Sequence, residues 1–497
     1  MRVALVGEGT YPVAPGGVST WADLLIRELA EVEFEVVTIV GQAPQPGWTV
    51  APNVSGVTLV PIWDPPPERI GIRSLLARHS LDRLRGLLGE IWELALQRDP
   101  DLDAFEEALK QLTGPWPRPL RWFLQQAGST EAILRSWTIQ RHQRGGLPPL
   151  SGGEAAIIAR FVDRSLALLD RPYPQADLIH TTANGNAMLV ALAQQWNSGA
   201  PILLTEHGVY LRERYLALDD SDFTWPVRHI LMQFSRVLCQ LGYRRAQRQA
   251  PVSEFNARWA LELGACPAAV QVIPNGVVAD RFPPITTDPE RPTIAFVGRI
   301  NPLKDLETMI RAVGLVRERI PEVKLRLFGP TSDEDQEYRS RLESLIVELD
   351  LTDVVSFEGP CASPVTAFRS GQVVALSSKS EGLPFTVIEA MMCGRATVNT
   401  DVGGVAECTG RDGAAGLVVP PMDSEAFADA LTALLLDDDR RREMGARARA
   451  RALERFTSAQ FADAYRSVYR DLHGETWLAE DARSGAQVAG SFAEARP

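Results

Sequence analysis

Two carboxylates, Glu381 and Glu389, bracket seven residues in the run Ser-Glu-Gly-Leu-Pro-Phe-Thr-Val-Ile-Glu that begins at Ser380. Gly382, Leu383 and Pro384 mark a loop turning into a helix, because proline suits a first helical turn. Glu389 then falls just over one turn into a helix that begins near Phe385, and Glu381 stays in the loop before it. A helix start offers free N–H groups and a partial positive charge, which suit an anion. Carboxylates accept hydrogen bonds from hydroxyl groups. Phosphate at a helix end, with hydroxyls held by carboxylates, is the pattern that a nucleotide-sugar presents. Two Glu residues eight apart are by themselves usually solvated surface. Here the preceding Val373-Val374-Ala375-Leu376 reads as a buried strand, so the pair lies at a strand's carboxyl end, where open α/β sheets bind ligands.

A second group follows another apolar strand. Phe296-Val297-Gly298-Arg299-Ile300-Asn301-Pro302-Leu303-Lys304 places Arg299 and Lys304 on a loop leading into a helix. Two cations there match a diphosphate, and Arg can grip two oxygens at once. Near the N-terminus, Gly16-Gly17-Val18 puts side-chain-free backbone at a helix start, where Gly17 can approach an anion or form a simple tight turn. Gly7-Glu8-Gly9 is not a dinucleotide fingerprint, since Pro12 occupies the third glycine's place and no acidic residue is set for a ribose. His207, in Thr205-Glu206-His207-Gly208, follows a buried strand. A lone His is most often structural, but this one stands at the sheet's ligand edge. The turns at Asn275-Gly276, Gly329 and Gly403-Gly404 read as architecture.

These groups require a scaffold of alternating strands and helices. Val3–Val6, a helix over Val18–Ala30 and the strand Glu35–Val40 make a βαβ start. From Asp64 to Pro149 the pattern becomes helical, rich in Leu, Trp and Arg, and reads as an insertion over residues 64–150. Alternation resumes with strands at Ala176–His180 and Pro201–Thr205, a long helix over Pro226–Arg248, and short strands at Ala250–Val252 and Val270–Ile273. A Pro- and acid-bearing linker, Asp280–Arg291, is expected to act as a hinge. Beyond it come strands at Thr293–Val297, Lys324–Phe328, Val354–Phe357, Val373–Leu376, Ala396–Asn399 and Leu417–Val419. The expectation is α/β: two Rossmann-like, doubly wound domains, 1–280 and 281–472, facing a cleft, with a mobile tail at 473–497.

Composition narrows the class. A chain of 497 residues with 45% hydrophobic and 23% charged content is an ordinary globular protein of two domains. Net charge −12 argues against nucleic acid as a partner. No apolar run is long enough to span a membrane, and the chain enters a strand at once without the marks of a signal peptide. The five cysteines are scattered, with no CxxC pair, and no His pair has ligand spacing. The expectation is a cytoplasmic protein with no metal or cofactor.

Gly298-Arg299 with Lys304, and Glu381 with Glu389, resemble the GT-B glycosyltransferases of family four, which are retaining enzymes using nucleotide-activated sugars. The likeness spans about residues 1–475. Glu8-Gly9-Thr10-Tyr11-Pro12, Gly16-Gly17-Val18-Ser19-Thr20-Trp21, and Thr205 to Tyr210 with Arg212-Glu213-Arg214 look like the PelF-type enzymes of exopolysaccharide synthesis. Gly382-Leu383-Pro384 and Gly403-Gly404-Val405 are closer to family four at large. The resemblance implies that Arg299 and Lys304 hold the donor diphosphate, Glu389 the ribose hydroxyls and Glu381 the sugar hydroxyls. It also implies that Gly17 lends its amide, that Gly382, Leu383 and Pro384 line the donor, and that His207 lies near the transferred sugar. It implies a UDP-glucose-like donor and a saccharide or lipid-linked acceptor. No metal is implied, and no DxD pair stands at a plausible strand end.

Trp116, Arg118, Arg121, Trp122 and Phe123 interleave aromatic and basic groups, and Arg228, Arg236, Arg244, Arg245 and Arg248 line the long helix. Either set could rest on the inner face of a membrane as a peripheral contact, or on a membrane polysaccharide-synthesis complex. A packed helix with solvated Arg is the plainer reading. Two rivals differ in class: a non-catalytic scaffold, which calorimetry with nucleotide separates, and a sugar-nucleotide epimerase, which would turn over without an acceptor.

Overall fold

The computed structural model describes residues 1–41, 49–63, 75–116, 119–127 and 129–491. It divides into two compact units. The first holds 1–251, 258–271 and 465–497; the second holds 252–257 and 272–464.

The first unit is built on six parallel strands: β1 (Arg2–Glu8), β2 (Glu33–Val40), β3 (Val54–Pro61), β4 (Leu178–Thr181), β5 (Ile202–Leu204) and β6 (Arg248–Gln249), in the order β3-β2-β1-β4-β5-β6. The order reverses between β1 and β4, which pair from Val3↔Leu178 to Val6↔Thr181. Val3 to Val6 is buried on both faces, as an unbroken apolar strand of a covered parallel sheet should be. β3 was not anticipated. It is an edge strand whose solvent-facing side carries Ser55, Val57 and Leu59, while Gly56 and Thr58 sit half-buried on the other side; the polar and glycine residues fall on both faces and break any apolar run.

Helices Leu75–Ala95, Leu102–Lys110, Leu120–Ala127 and Thr130–Arg144 fill the expected insertion, and helical structure continues through Gly152–Leu166. Residues 64–74, where the insertion was expected to begin, lie outside the described residues. The insertion is not a separate lobe: Leu88, Trp92 and Phe105 share one apolar core with Val37 and Ile39 of the sheet and Val190 of the helix Asn186–Ser198. Truncating a buried Trp or Phe of this kind costs about 3–5 kcal/mol.

The second unit repeats the plan. Strands β7 (Thr293–Val297), β8 (Lys324–Phe328), β9 (Val355–Gly359), β10 (Val373–Leu376), β11 (Ala396–Thr400) and β12 (Leu417–Val419) run parallel in the order β12-β11-β10-β7-β8-β9. The order reverses between β10 and β7, paired at Val373↔Ile294 and Val374↔Ala295.

Four expectations need correction. The domain boundary falls at Val272 rather than near 280, and the chain returns to the first unit at Tyr465. The segment expected to be a hinge is fastened into the second unit, because Asp288 is gripped by Arg395 at 2.5 Å and Arg441 at 2.9 Å, and the amide of Ile285 donates to Cys393. The strand expected at Ala250–Val252 lies instead at Arg248–Gln249, since Pro251 has no N–H to donate to a ladder. Val270 makes only an isolated bridge to Gln249. Separately, the helix Ser458–Ser491 runs into the stretch expected as a mobile tail; 492–497 lie outside the described residues.

Candidate functional site

The second unit's reversal of strand order puts two loops side by side, one after β7 and one after β10. Crevices of this kind bind ligands in open α/β sheets. The β7 loop carries Arg299 and Lys304; the β10 loop carries Glu381 to Pro384. Hydrogen bonds tie the loops together. The hydroxyl of Ser377 donates to the Lys304 carbonyl at 2.8 Å, and the Lys379 amide donates to the Leu303 carbonyl at 2.8 Å. Lys304 Nζ lies 2.5 Å from Glu381 Oε1, which also accepts from the Ser378 hydroxyl at 2.6 Å. Both side chains are mostly buried, at 20% and 12% exposure. Glu381 Oε2 takes no hydrogen bond among the described residues, so one carboxylate oxygen remains for a ligand hydroxyl.

Two glycines permit this geometry. Gly403 has φ +58°, and a Cβ there would stand 1.7 Å from the Glu381 carbonyl oxygen. The Gly404 amide donates to the Gly382 carbonyl at 2.7 Å. Asn275, from the turn read as architecture, donates Nδ2 to the Leu383 carbonyl at 2.7 Å.

Pro384 is the N-cap of the helix Phe385–Met392, and no acidic residue stands in its first turn. The Thr386 hydroxyl donates to the Val297 carbonyl at 3.1 Å, which pins the helix start to the end of β7. Arg299, two residues past Val297, is exposed, and its guanidinium has no partner among the described residues. Glu389 likewise has no hydrogen-bond partner among them. Burial pushes its carboxyl up to about 7. Cys361, half-buried, feels the Glu389 charge as a secondary effect after its own burial, and both raise its thiol. Ser378, Asn275 and Cys361 were missed from sequence. Ser378 could have been found from its position two residues beyond β10; the other two are near in space only.

Gly17 and His207 belong to the first unit. Gly17 opens the helix Gly17–Glu28, whose N-cap Gly16 has open space beside it. One turn on, the fully buried Trp21 meets the His207 ring edge-on with centroids 4.7 Å apart. Burial pushes the His207 imidazole down to about 3, and its Nε2 is buried without a partner among the described residues. His180, also pushed down to about 3 by burial and by His207, is structural: its ring nitrogens meet the Tyr469 hydroxyl at 2.7 Å and the Thr205 hydroxyl at 2.8 Å.

In the basic–aromatic patches, aromatic rings are buried while arginines pair with neighbours and stay partly exposed, Arg244 by 46%. Trp122 and Phe123 are buried in the core. On the long helix Trp225–Arg245, Arg228 pairs with Asp219, Arg244 with Asp103 and Arg245 with Glu106, and Arg236 donates to the Gln97 carbonyl. Arg118 lies outside the described residues. No helix of the described residues is long and apolar enough to cross a membrane.

Residues 279–451 match the family described as glycosyl transferases group 1, and residues 1–268 match a domain of unknown function, DUF3492. A D-inositol 3-phosphate glycosyltransferase of Kribbella flavida is 31% identical over 303 residues, which is 58% of this chain and 69% of that protein. Another of the same name, from Nocardia farcinica, is 34% identical over 247 residues, 46% of this chain and 54% of its own length. The chain thus spans between half and about two thirds of these two relatives. Sucrose-phosphate synthase of Thermosynechococcus elongatus superposes with TM-score 0.63 at 18% identity, covering 95% of this chain and 99% of that one. HepE of Anabaena, solved with UDP and glucose, superposes with TM-score 0.59 at 16% identity, covering 94% and 98%. The two six-stranded parallel sheets and these likenesses make the fold GT-B, two Rossmann-like domains.

Proposed function

We propose that this chain, which belongs to the group 1 glycosyl transferases, is a retaining enzyme that moves a hexose from a UDP-sugar such as UDP-glucose to a saccharide or lipid-linked acceptor in exopolysaccharide synthesis. The observation that carries the reading is the junction of the β7 and β10 loops, where Lys304, Glu381 and the start of the helix Phe385–Met392 converge. HepE, of like fold, is solved with UDP-glucose, a donor of this class.

In this reading the diphosphate lies over the helix start, between Arg299 and Lys304. Arg299 is exposed and unpaired among the described residues, so it meets the phosphate without breaking an ion pair with any of them. Lys304 has three donors and can keep Glu381 while giving another to a phosphate oxygen. Glu381 Oε2 and Glu389 accept from sugar and ribose hydroxyls. The bond between the anomeric carbon and the diphosphate oxygen breaks, and the acceptor oxygen bonds to that carbon from the same face. The acceptor proton passes to the leaving phosphate oxygen. Arg299 and Lys304 stabilise the charge that gathers there, which is the task a divalent metal performs elsewhere. Gly17 and His207 take the roles that the resemblance implies, an amide donor and a group beside the transferred sugar. A cytoplasmic protein working at the inner membrane face, as PelF-type enzymes imply, fits an acceptor assembled there.

The test is a panel of nucleotide-sugars scored by calorimetry and then by donor hydrolysis and transfer. Arg299→Ala should lower turnover with the matched donor by roughly 10²–10³-fold, the usual effect of deleting one charge-stabilising donor. Turnover near wild type would remove Arg299 from the diphosphate site.

A further inference from the structure

The first unit also has a point where strand order reverses, between β1 and β4, and a cavity of about 300 Å³ opens there. Its polar wall comes from the sheet edge. Glu8, at the carboxyl end of β1, accepts from Asn186 Nδ2 at 3.0 Å, and Asn186 begins the helix that follows β4. Glu8 makes no other hydrogen bond among the described residues. Arg214, on the helix Tyr210–Asp219, lines the same space and donates to the Tyr210 hydroxyl at 2.7 Å. The opposite wall is apolar. Phe161 comes from the helix Gly152–Leu166, and Leu231 and Phe234 from the helix Trp225–Arg245. Pockets for small ligands have this make-up, with apolar walls and a few convergent polar groups.

We propose that this cavity seats an acceptor with an apolar aglycone, its hydroxyl-bearing head at Glu8 and Asn186 and its hydrocarbon portion against Phe161, Leu231 and Phe234. The assignment rests on the transferase reading for the word acceptor, but the binding chemistry stands without it. A bare saccharide presents hydroxyls on every side, and those facing the Phe and Leu wall would lose water without gaining partners. A hydrocarbon chain meets that wall at no such penalty and releases water from it. Glu8 offers acceptor oxygens to a hydroxyl head; burial holds its carboxyl above the ordinary range, against the pull of Asn186 and Arg214. Arg164, which lines the cavity and lies over the exposed Trp63 ring at 4.0 Å, marks an amphipathic rim.

The probes are octyl and methyl β-glucoside, titrated below micelle concentration into the purified full chain, with UDP titrated into the same samples. Burying about three of the extra methylenes corresponds to roughly fiftyfold tighter binding of the octyl compound. Ala217→Trp, made at an exposed helix position that lines the cavity, should abolish the octyl preference and leave UDP affinity unchanged. Ser165→Phe, from the facing helix, repeats the occlusion if the first variant does not fold. Equal binding of the two glucosides, or an octyl preference that survives a folded occluding variant, would overturn the proposal. If UDP fails to bind the wild type while the octyl preference stands and is lost on occlusion, the donor reading fails and the cavity assignment holds.

Discussion

Replacing Glu389 by Gln should make the protein more stable at alkaline pH while weakening nucleotide binding. The carboxyl sits without a hydrogen-bond partner among the described residues, and burial raises it from an ordinary 4.5 to about 7. A carboxyl raised in the folded state binds its proton more tightly there than in the unfolded chain. Its contribution is therefore favourable in acid and is lost as pH rises through 7. With those two values the linkage amounts to about 3 kcal/mol of destabilisation at pH 8.5 and about 1 kcal/mol at pH 5. Glutamine carries no charge and escapes this cost. For a unit of this size each kcal/mol moves the melting temperature by roughly 2–4 °C, so Glu389→Gln should melt about 6–12 °C above wild type at pH 8.5 and within about 4 °C of it at pH 5. The assay is differential scanning fluorimetry of both proteins across that range without nucleotide. The same variant should bind UDP roughly tenfold to a hundredfold more weakly, the cost of losing a charged acceptor for a ribose hydroxyl. A melting difference that is flat with pH, or a variant less stable at pH 8.5, would refute an unpartnered buried carboxylate at this position. A variant with the expected melting profile and unchanged UDP affinity would leave the electrostatics intact and remove the ribose role.

Further outcomes follow from the same geometry. Gly403→Ala forces a Cβ into the Glu381 carbonyl from a left-handed backbone; it should cost about 2–3 kcal/mol, seen as a melting point lower by roughly 5–10 °C. For Asp288, burial alone would raise the carboxyl, but hydrogen bonds from Arg441 and Arg395 outweigh it and hold it below its usual value. Asp288→Asn leaves the buried Arg395 guanidinium without its counter-charge and Arg441 with Asp438 alone, at a cost of about 3 kcal/mol near neutral pH. Because a depressed carboxyl stabilises above its unfolded value of 3.8 and loses that effect as pH falls through the lower folded one, the gap between variant and wild type in urea should persist to pH 4 and close only in stronger acid. Saturating UDP should slow alkylation of Cys361, read peptide by peptide, since this half-buried thiol lies within reach of the Glu389 charge; an unchanged rate would place the nucleotide elsewhere.

Much of the second unit was legible beforehand because its strands are short and carry apolar residues, continuous in Val373–Leu376 and alternating with Lys and Arg in Lys324–Phe328. Thr293–Val297, Lys324–Phe328, Val373–Leu376 and Leu417–Val419 occur where the residue pattern puts them. A parallel strand buried on both faces leaves that mark in any sequence. β3 left none, because at the sheet edge its exposed face tolerates Val57 and Leu59 while Gly56 and Thr58 fall on the covered face, so neither a continuous apolar run nor a clean alternation appears. The presumed hinge at Asp280–Arg291 looked like a linker by composition. It is held fast because residues far along the chain reach it: Arg395 and Arg441 grip Asp288, and the Cys393 carbonyl takes the Ile285 amide.

The residue types, their spacing and the strand-loop-helix grammar around Arg299, Lys304, Glu381 and Glu389 were written in the chain itself, because local backbone preference and burial pattern act over a few neighbours. Which of those groups touch was decided elsewhere. The pairing of β7 with β10 brings Lys304 to Glu381 across 77 positions of chain, and the pairing of β1 with β4 brings Glu8 to Asn186 across 178. Ion pairs, the raised Glu389 carboxyl and the apolar wall beside Glu8 depend on distance and exclusion of water, and those exist only once the sheets have closed their order.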